Sequence, residues 1–360
     1  MQTTSIFIDL CENLNKVKNY NKGDGCYSGS VLSKVITYNF SEVGRLKVAI
    51  IGAGAMGSLF GGSLASVVDE VVLYSTNKAY VEAVNKNGLI MTQGDKRKAV
   101  KARATSDPAE IGESDVAIVY VKYTGTRKAI QDALLSCITK NTMVVTLQNG
   151  IGNVEIIKEY VPEDQIVYGL STLTSDVKAP GHIEMTTLSK VGTSMWPLNG
   201  VVTPKLETLV DLMNQANLNA DIAADVNERI WRKLMVNACE NTLCAILKVN
   251  VTDLMINTPE SYEIGKQVVY EVSDVARAKG MNISREEALK HVMNVTYAVP
   301  GHVPSMVFDV LKKKKTEIGC INEAIVNEGK KLGVPTPMVE TIALLIRAIE
   351  ANYDREIIHH

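Results

Sequence analysis

The sequence predicts an α/β fold, in which an N-terminal doubly wound parallel sheet is followed by an all-α C-terminal domain. Three observations support this prediction. A short apolar strand leads directly into a glycine-rich turn and a helix, strands and helices then alternate, and the strand patterns stop at about residue 224. Alternating strands and helices favour parallel pairing, because each connecting helix covers one face of the sheet.

The elements are predicted in order from residue 47. Lys47–Ile51 is a short, β-branched run typical of a buried strand. Similar runs predict strands at 70–74, 116–121, 143–147 and 165–170, with helices at 125–138 and 153–160. Prolines near their starts mark later helices, predicted at 225–248, 259–280, 284–297, 304–332 and 336–352. The chain therefore divides into an extension without clear periodicity (1–45), the sheet domain (46–224) and the helical domain (225–360).

The composition is that of an ordinary globular protein and excludes several classes of partner. Lys and Arg number 38 against 40 Asp and Glu, so there is no broad basic field for nucleic acid and no polybasic patch for a membrane. No apolar run approaches the roughly 20 residues of a membrane span. The six cysteines include no Cys-x-x-Cys pair, so no metal site is expected. With a poor secretory signal at the start, we expect a cytoplasmic protein.

The turn after the first strand has the spacing Gly52-x-Gly54-x-x-Gly57. The spacing is weak evidence alone, but a strand before it and a helix after it make it specific. The first glycine permits a tight turn, the second lets the backbone approach a pyrophosphate, and the third lets helix and strand pack closely. We therefore predict a Rossmann-type dinucleotide site made by Gly52, Ala53, Gly54, Ala55, Met56 and Gly57.

The end of the second strand indicates which dinucleotide binds. NAD sites usually have a carboxylate there that holds the ribose hydroxyls. Residues 74–78 read Tyr-Ser-Thr-Asn-Lys, with no acid. The hydroxyls and Lys78 are suited to a 2′-phosphate, which favours NADP(H), although the better phosphate fork, arginine, is missing. A solvated helix position is the alternative for Lys78.

Polar residues at two strand ends and along one helix predict a second part of the site. Lys122 and Asn149 follow predicted strands, where ligands of such sheets lie. Lys233, Asn237 and Asn241 recur at i, i+4 and i+8 in apolar surroundings, which indicates a lined pocket rather than a solvated stripe. A buried ammonium has a lowered pKa and can protonate a developing alkoxide, while the amides hold substrate oxygens.

A further helix is predicted to open at Pro304-Ser305. Ser305 is suited either to cap this helix or to bind a carboxylate near its positive end. Asp309 and Glu317 follow it in the chain.

In combination these motifs resemble those of the ketopantoate reductase (2-dehydropantoate 2-reductase) family, over residues 47–350. The matching motifs are residues 52–57, Val121-Lys122, Gln148-Asn149-Gly150-x-Gly152-Asn153, Trp231-Arg-Lys233-x-x-x-Asn237-x-x-x-Asn241, and Ser305-Met306-x-x-Asp309 with Thr316-Glu317-Ile318. The resemblance implies a Rossmann domain and a helical domain with the site between them, often in a homodimer. It implies reduction of 2-dehydropantoate to (R)-pantoate with NADPH, on the path to pantothenate and coenzyme A.

The resemblance also implies roles for single residues. Lys233 corresponds to the general acid, and Asn237 and Asn241 correspond to substrate-binding amides. Glu317 corresponds to the carboxylate that holds the terminal hydroxyl of the substrate. Ser305 corresponds to the residue that binds the carboxylate of the substrate. Lys122 and Asn149 correspond to cofactor and active-site residues that follow the ends of strands in the family.

The chain departs from the family pattern at several positions. His302 stands where an asparagine is common among the substrate-binding residues, and Pro304 directly precedes the serine. Val251 replaces a further asparagine, and Asn322-Glu323 replaces an Asn-Gly pair. These departures, with the missing arginine, leave a related 2-oxo acid open as substrate and leave the preference between NADPH and NADH open.

Two rival functions share parts of the same residue pattern. A β-hydroxyacid dehydrogenase has a Lys-x-x-x-Asn helix after a Rossmann domain, but the pair of Ser305 and Glu317 favours the reductase. A non-catalytic NADPH-binding sensor is the rival from another class, and the intact Lys233, Asn237 and Asn241 argue against it.

Overall fold

The structure, a computed structural model of the chain, describes residues 46–187 and 192–355. The predicted N-terminal extension, residues 1–45, lies outside the described residues. The strands in the described part are β1 (Lys47–Ile51), β2 (Glu70–Tyr74), β3 (Leu89–Gln93), β4 (Lys96–Val100), β5 (Arg103–Thr105), β6 (Val116–Val119), β7 (Met143–Thr146), β8 (Ile166–Ser171), β9 (Thr174–Ala179), β10 (His182–Thr187), β11 (Thr193–Pro197) and β12 (Ala220–Ile222).

The larger sheet has the strand order β12-β11-β8-β7-β6-β1-β2-β5. All neighbours from β5 to β8 pair in parallel, and β11 joins β8 antiparallel. The strand order reverses between β1 and β6, so the carboxyl ends of these two strands open a crevice of the kind that binds ligands in doubly wound sheets. The predicted fold class is confirmed.

The earlier α-helices of the described part alternate with the strands and lie on both faces of this sheet. After β12 the described elements are helical. The α-helices are α1 (Ala55–Leu64), α2 (Lys78–Asn87), α3 (Thr126–Asp132), α4 (Asn153–Lys158), α5 (Pro204–Gln215), α6 (Val226–Val236), α7 (Thr242–Leu247), α8 (Pro259–Ala278), α9 (Arg285–Ala298), α10 (Ser305–Leu311), α11 (Asn322–Leu332) and α12 (Pro337–Ala351).

Alternate residues of β1 show why the sheet is covered on both faces. Val48 and Ile50 pack into the cluster that contains Phe60 of α1, whereas Ala49 and Ile51 pack into a cluster on the opposite face. A strand buried on both faces has a continuous apolar sequence, which is the pattern that identified β1. A separate apolar cluster, with Trp231 and Met235 among its members, forms the core of the helical half.

A smaller sheet of order β4-β3-β10-β9 is not predicted from the sequence as a sheet of its own. Its strand β4 has the sequence Lys-Arg-Lys-Ala-Val and is exposed at its first four positions. An edge strand that faces solvent shows no alternation of apolar and polar residues, so periodicity could not reveal it.

The helix predicted at 225–248 is interrupted by a π-helical turn at Asn237–Asn241, between α6 and α7. The Ala238 carbonyl of this turn accepts hydrogen bonds from Thr242 Oγ1 at 2.7 Å and Asn322 Nδ2 at 3.2 Å. Lys233 and Asn237 keep the expected α-helical spacing, since the Asn237 N–H donates to the Lys233 carbonyl, but the expectation that Asn241 continues their stripe is wrong, because a π turn takes up more residues than an α turn.

The helix predicted at 304–332 is also broken. It consists of α10, a segment over residues 312–317, a short 3₁₀ turn at Ile318–Cys320, and α11. The Thr316 backbone N–H donates to Glu350 Oε1 at 2.7 Å instead of continuing a helical ladder. Lys313 has a φ of +52°, which also ends regular helix. This break places Glu317 at the start of the 3₁₀ turn.

No helix within residues 46–187 and 192–355 is long and apolar enough to cross a membrane. The strands end at Ile222 and α6 begins at Val226. The domain division at residues 224 and 225 stays a prediction.

Candidate active site

The glycine turn joins β1 to α1 at the crevice. Gly52 has a φ of +103°, and the Ala53 backbone N–H donates to the Tyr74 carbonyl at 2.9 Å. A Cβ on Gly57 would lie 2.2 Å from the Gly52 carbonyl oxygen, whereas a Cβ on Gly54 would meet nothing within 4 Å. Gly54 directly precedes α1 and offers no side-chain cap. The turn thus leaves open space at a helix N-terminus whose N–H groups suit a pyrophosphate.

The end of β2 leads into α2 through residues that bond to one another. The Ser75 hydroxyl accepts the Asn77 N–H at 3.3 Å, and Asn77 Oδ1 caps α2 by accepting the Tyr80 N–H at 3.3 Å. Lys78 is the first residue of α2 and is exposed. Its ammonium is therefore accessible to an anion.

The Asn149 side chain joins two charged groups at the end of β7. Lys233 Nζ, on α6, donates to Asn149 Oδ1 at 2.7 Å and to the Ser171 carbonyl at 2.6 Å. Asn149 Nδ2 donates in turn to Glu317 Oε2 at 3.4 Å. The ammonium and the carboxylate thus lie on opposite sides of one amide. All three residues are predicted site residues, but no contact between them is predicted from the sequence.

Burial shifts both charged groups of this trio towards their neutral forms. It lowers the pKa of the Lys233 ammonium to about 8, and the Glu317 carboxylate opposes that shift. Burial also raises the pKa of Glu317, against the opposing effects of Lys122 and Asn149. A lysine with a pKa near neutrality holds a proton at pH 7 and can release it.

A chain of buried polar side chains holds the Asn149 loop in place. Gln148 Nε2 donates to the Val121 carbonyl at 2.7 Å and to Thr126 Oγ1 at 2.9 Å. Thr126 Oγ1 donates to Asn153 Oδ1 at 3.0 Å, and Asn153 Nδ2 donates to the Asn149 carbonyl at 3.2 Å. Gln148 and Asn153 belong to the sequence motif without an assigned role. Thr126 is not predicted at all, since nothing in the local pattern marks a single buried threonine.

Gly150 lets this loop touch the turn that carries Glu317. Its φ is +79°, and a Cβ there would lie 2.2 Å from the Cys320 carbonyl oxygen. The next N–H, of Ile151, donates to that same carbonyl at 2.9 Å. The sheet and the helical half therefore meet here backbone to backbone, in a space that no larger residue fits.

A small open cleft lies beside the Lys233 side chain. Its polar side chains are those of Gln148, Asn149, Lys233 and Asn237, and Leu170 and Ile230 are among its apolar lining. A small concave site with a few polar groups among apolar ones suits a small polar molecule.

Several of the predicted site residues do not line this cleft. Of the described residues, those that line it do not include Lys122, Glu317, Asn241, His302 or Ser305. Asn241 is half-buried at the end of the π-helical turn, and His302 and Ser305 are exposed. Pro304 takes the N-cap position of α10 and no side chain caps that helix, so the capping alternative for Ser305 is wrong.

Lys122 links the strand ends to the helical half. Its Nζ lies 2.6 Å from both carboxylate oxygens of Asp309 on α10. This ion pair crosses from the end of β6 to the helix that begins with Ser305. Lys122 follows β6 at the carboxyl edge of the sheet, and its partner in the structure is Asp309.

Among the described residues, no group of three or more His, Cys, Asp or Glu side chains is arranged to hold a metal ion.

The stability of the chain should depend on the Lys233 charge in a pH-dependent way. Below pH 8 this lysine is charged in the folded and unfolded chains alike, so the cost of burying its ammonium is fully present. We expect Lys233→Met to raise the free energy of unfolding by about 2 kcal/mol at pH 7. As pH rises above 8, the folded wild type loses the proton first, so this advantage should shrink.

Urea unfolding at pH 7 and at about pH 10 measures this effect. Lys290→Met, at an exposed position of α9, is the matched control and should show no such pH dependence. An advantage of Lys233→Met that stayed constant with pH would contradict the assigned burial cost.

Comparison with known proteins gives the family. The model of ketopantoate reductase PanE/ApbA matches residues 48–197, and that of its C-terminal part matches residues 225–350. The chain is 32% identical over 306 residues to a 2-dehydropantoate 2-reductase of Streptococcus pyogenes serotype M3, covering 84% of this chain and 98% of the relative. It is 29% identical to the enzyme of that name from Lactococcus lactis, covering 85% and 98%.

Solved structures agree with this match. A D-mandelate dehydrogenase with NADH and anilino(oxo)acetate is 31% identical, with a TM-score of 0.78, and the match covers 86% of this chain and all of that one. A PanE/ApbA family ketopantoate reductase from Ralstonia eutropha is 27% identical, also with a TM-score of 0.78, over 86% and 100% of the two chains. The glycine turn, the Lys233 helix and the Glu317 turn lie within the matched residues, and the chain belongs to the ketopantoate reductase family.

Proposed function

We propose that the protein reduces 2-dehydropantoate to (R)-pantoate with NADPH, with Lys233 as the general acid. The observation that carries this proposal is the Lys233–Asn149–Glu317 trio, beside a cleft at the carboxyl ends of the strands. The names of the relatives support the substrate, since two enzymes matched over 98% of their length are 2-dehydropantoate 2-reductases.

Lys233 has the contacts and the pKa of an acid that serves a ketone. Its ammonium donates to Asn149 Oδ1 and the Ser171 carbonyl, which leaves one of its three N–H groups for a substrate oxygen. Protonation of that oxygen by Lys233 turns the developing alkoxide into a hydroxyl. Asn149 orients the Lys233 ammonium, and we assign it this positioning role in addition to a contact with the cofactor.

Glu317 and Asn237 are suited to bind the substrate. The Glu317 carboxylate can accept a hydrogen bond from the terminal hydroxyl, and the Asn237 amide lines the cleft next to Lys233. We keep Asn241, Ser305 and His302 as substrate-binding candidates around this cleft. The Lys122–Asp309 ion pair joins α10 to the carboxyl end of β6.

NADP(H) is the proposed cofactor, and its nicotinamide supplies the hydride when bound. The open space at Gly54 fits a pyrophosphate, and exposed Lys78 fits a 2′-phosphate where residues 75–78 contain no carboxylate. The D-mandelate dehydrogenase of the comparison holds NADH, which supports a nicotinamide cofactor in general.

A second candidate is reduction of another 2-oxo acid. The observation in its favour is the 31% identity to a D-mandelate dehydrogenase, because mandelate is also a 2-hydroxy acid. His302, which takes the place of a family asparagine, supports a changed specificity. The homodimer and the cytoplasmic location stay predictions, the first of which light scattering in solution would test.

The deciding experiment follows NADPH consumption with 2-dehydropantoate, phenylglyoxylate and a small panel of other 2-oxo acids, and repeats the series with NADH. Fast turnover restricted to 2-dehydropantoate supports the proposal. Preference for phenylglyoxylate would support the second candidate, and NADPH binding without any turnover would support the sensor.

Lys233→Ala should lower kcat by about 10²–10⁴-fold, because it removes the positioned acid. In the wild type, kcat/KM for ketone reduction should fall as pH rises above about 8, since the acid must carry its proton. Steady-state kinetics across pH measure both effects. Lys290→Ala is the control and should behave as the wild type; near-normal turnover of Lys233→Ala would refute the assigned role.

Glu317→Gln should raise KM for 2-dehydropantoate about tenfold, because it weakens a charge-assisted hydrogen bond to the terminal hydroxyl. The matched substrate 3,3-dimethyl-2-oxobutanoate lacks only that hydroxyl and should be affected little. Equal changes with both acids would count against the proposed contact.

Lys78→Ala should raise KM for NADPH about fivefold and leave KM for NADH unchanged, as expected for loss of one exposed ionic contact. Lys86→Ala, near the other end of α2, is the control and should change neither value. An equal rise with both coenzymes would show that Lys78 does not meet the 2′-phosphate.

A further inference from the structure

A buried carboxylate lies behind the Glu317 turn, outside the proposed catalytic set. Glu350 is near the end of α12, and its side chain is 1% exposed. A carboxylate buried to that degree is costly unless donors surround it. The identity of its donors therefore indicates what it does.

Two of these donors belong to the residue that precedes Glu317. Glu350 Oε1 accepts the Thr316 backbone N–H at 2.7 Å and the Thr316 hydroxyl at 2.8 Å. The same hydroxyl accepts the Ile318 N–H at 3.3 Å, on the other side of Glu317. Thr316 is itself buried. Glu350 thus holds the backbone on both sides of Glu317. It binds the Thr316 N–H directly, and it fixes the Thr316 hydroxyl, which in turn accepts the Ile318 N–H.

Two cations complete the surroundings of Glu350. Its Oε2 lies 3.0 Å from Arg347 Nη1 and 3.3 Å from Lys315 Nζ. Burial by itself would raise the pKa of Glu350, but the bonds from Thr316, Arg347 and Lys315 lower it overall. Glu350 is therefore a fixed anion at neutral pH.

Arg347 extends this arrangement to the far side of the turn. Its guanidinium donates to both carboxylate oxygens of Glu323, at 2.7 and 2.6 Å, in the first turn of α11. The chain just before Glu317 is thus bound to Glu350, and the helix that follows the turn is bound to Arg347 through Glu323. Glu350 and Arg347 lie one helical turn apart on α12.

We propose that Glu350 and Arg347 form a clamp that positions the Glu317 carboxylate and thereby sets the preference of the enzyme for a 2-oxo acid with a terminal hydroxyl. The inference rests on the proposed function, because that function assigns the hydroxyl to Glu317. Glu350 is a positioning residue. It contacts Thr316, Lys315 and Arg347, and it acts on a substrate only by placing the turn that carries Glu317. A small displacement of a binding group weakens its contact with a substrate substantially.

The test compares 2-dehydropantoate with 3,3-dimethyl-2-oxobutanoate, which differs only by the hydroxyl. Glu350→Gln should lower the ratio of the two kcat/KM values about tenfold, mainly through KM of the hydroxylated acid. Turnover of the deoxy acid should stay close to that of the wild type. Equal losses with both acids would indicate a purely structural role and overturn the proposal.

Glu340→Gln is the matched control. Glu340 lies on the same helix, but its 2.7 Å contact is with Lys330 at the surface, away from the Glu317 turn. The variant should keep the wild-type ratio. If it lowered the ratio as much as Glu350→Gln does, the effect would belong to α12 in general and the clamp would be refuted.

A double variant shows whether Glu350 acts through Glu317. In the Glu317→Gln background, Glu350→Gln should lower the ratio no further, because the positioned group is already gone. If the double variant lowered the ratio by the product of the two single-variant effects, Glu350 and Glu317 would act independently, which would contradict the clamp.

A milder pair of variants serves if Glu350→Gln fails to fold. Thr316→Val removes the hydroxyl that bonds to Glu350 and should lower the ratio, whereas Thr316→Ser keeps the hydroxyl and should preserve it. Identical ratios for the two would overturn the proposal.

Amide hydrogen exchange separates this inference from the proposed function. Protection at residues 316–321 should fall in Glu350→Gln and stay normal in Glu340→Gln, whether or not the enzyme reduces either acid. If the wild type reduces neither acid, the proposed function fails, and unchanged exchange at the turn would then also refute the clamp.

Discussion

The site depends on one amide that lies between two opposite charges. Asn149 Oδ1 accepts from the Lys233 ammonium, and its Nδ2 donates to the Glu317 carboxylate. Both charges are buried enough to shift towards neutrality, and the amide satisfies each of them without letting them meet as an ion pair. A lysine paired directly with a carboxylate would have its pKa raised. Separation by the amide keeps the pKa of Lys233 near neutrality and leaves its third proton for a ligand.

Much of the surrounding structure serves to place that amide. The Gln148, Thr126 and Asn153 bonds fix the loop after β7, and Gly150 allows the loop to approach the Cys320 carbonyl. On the other side, the 312–317 segment breaks what would otherwise be one long helix and presents Glu317 to the loop. In the helical half, Asn237 keeps the α-helical position one turn after Lys233, since its N–H donates to the Lys233 carbonyl, and the π-helical turn changes only the position of the residues that follow.

The glycine turn, the main strands and the helical second half follow from local patterns, and the structure confirms them. The exceptions have two physical causes. The exposed strand β4 has no apolar face, the π-helical turn depends on Asn322 from a distant helix, and the break before Glu317 depends on Glu350. Strand β4 pairs with its neighbour β3, so only its lack of an apolar pattern hid it. The other two features are bonded to residues far away in the chain, which no local window of sequence contains.

The sequence by itself determined the fold class, the position of the dinucleotide turn and the identity of the candidate residues. These depend on neighbours: a β-branched run forms a buried strand, and three glycines at fixed spacing form a turn. Only the tertiary structure decided which candidates touch. Asn149 reaches Lys233 across 84 residues and Glu317 across 168. Contacts over such distances depend on how the sheet and the helices pack together, which a local pattern of residues does not specify.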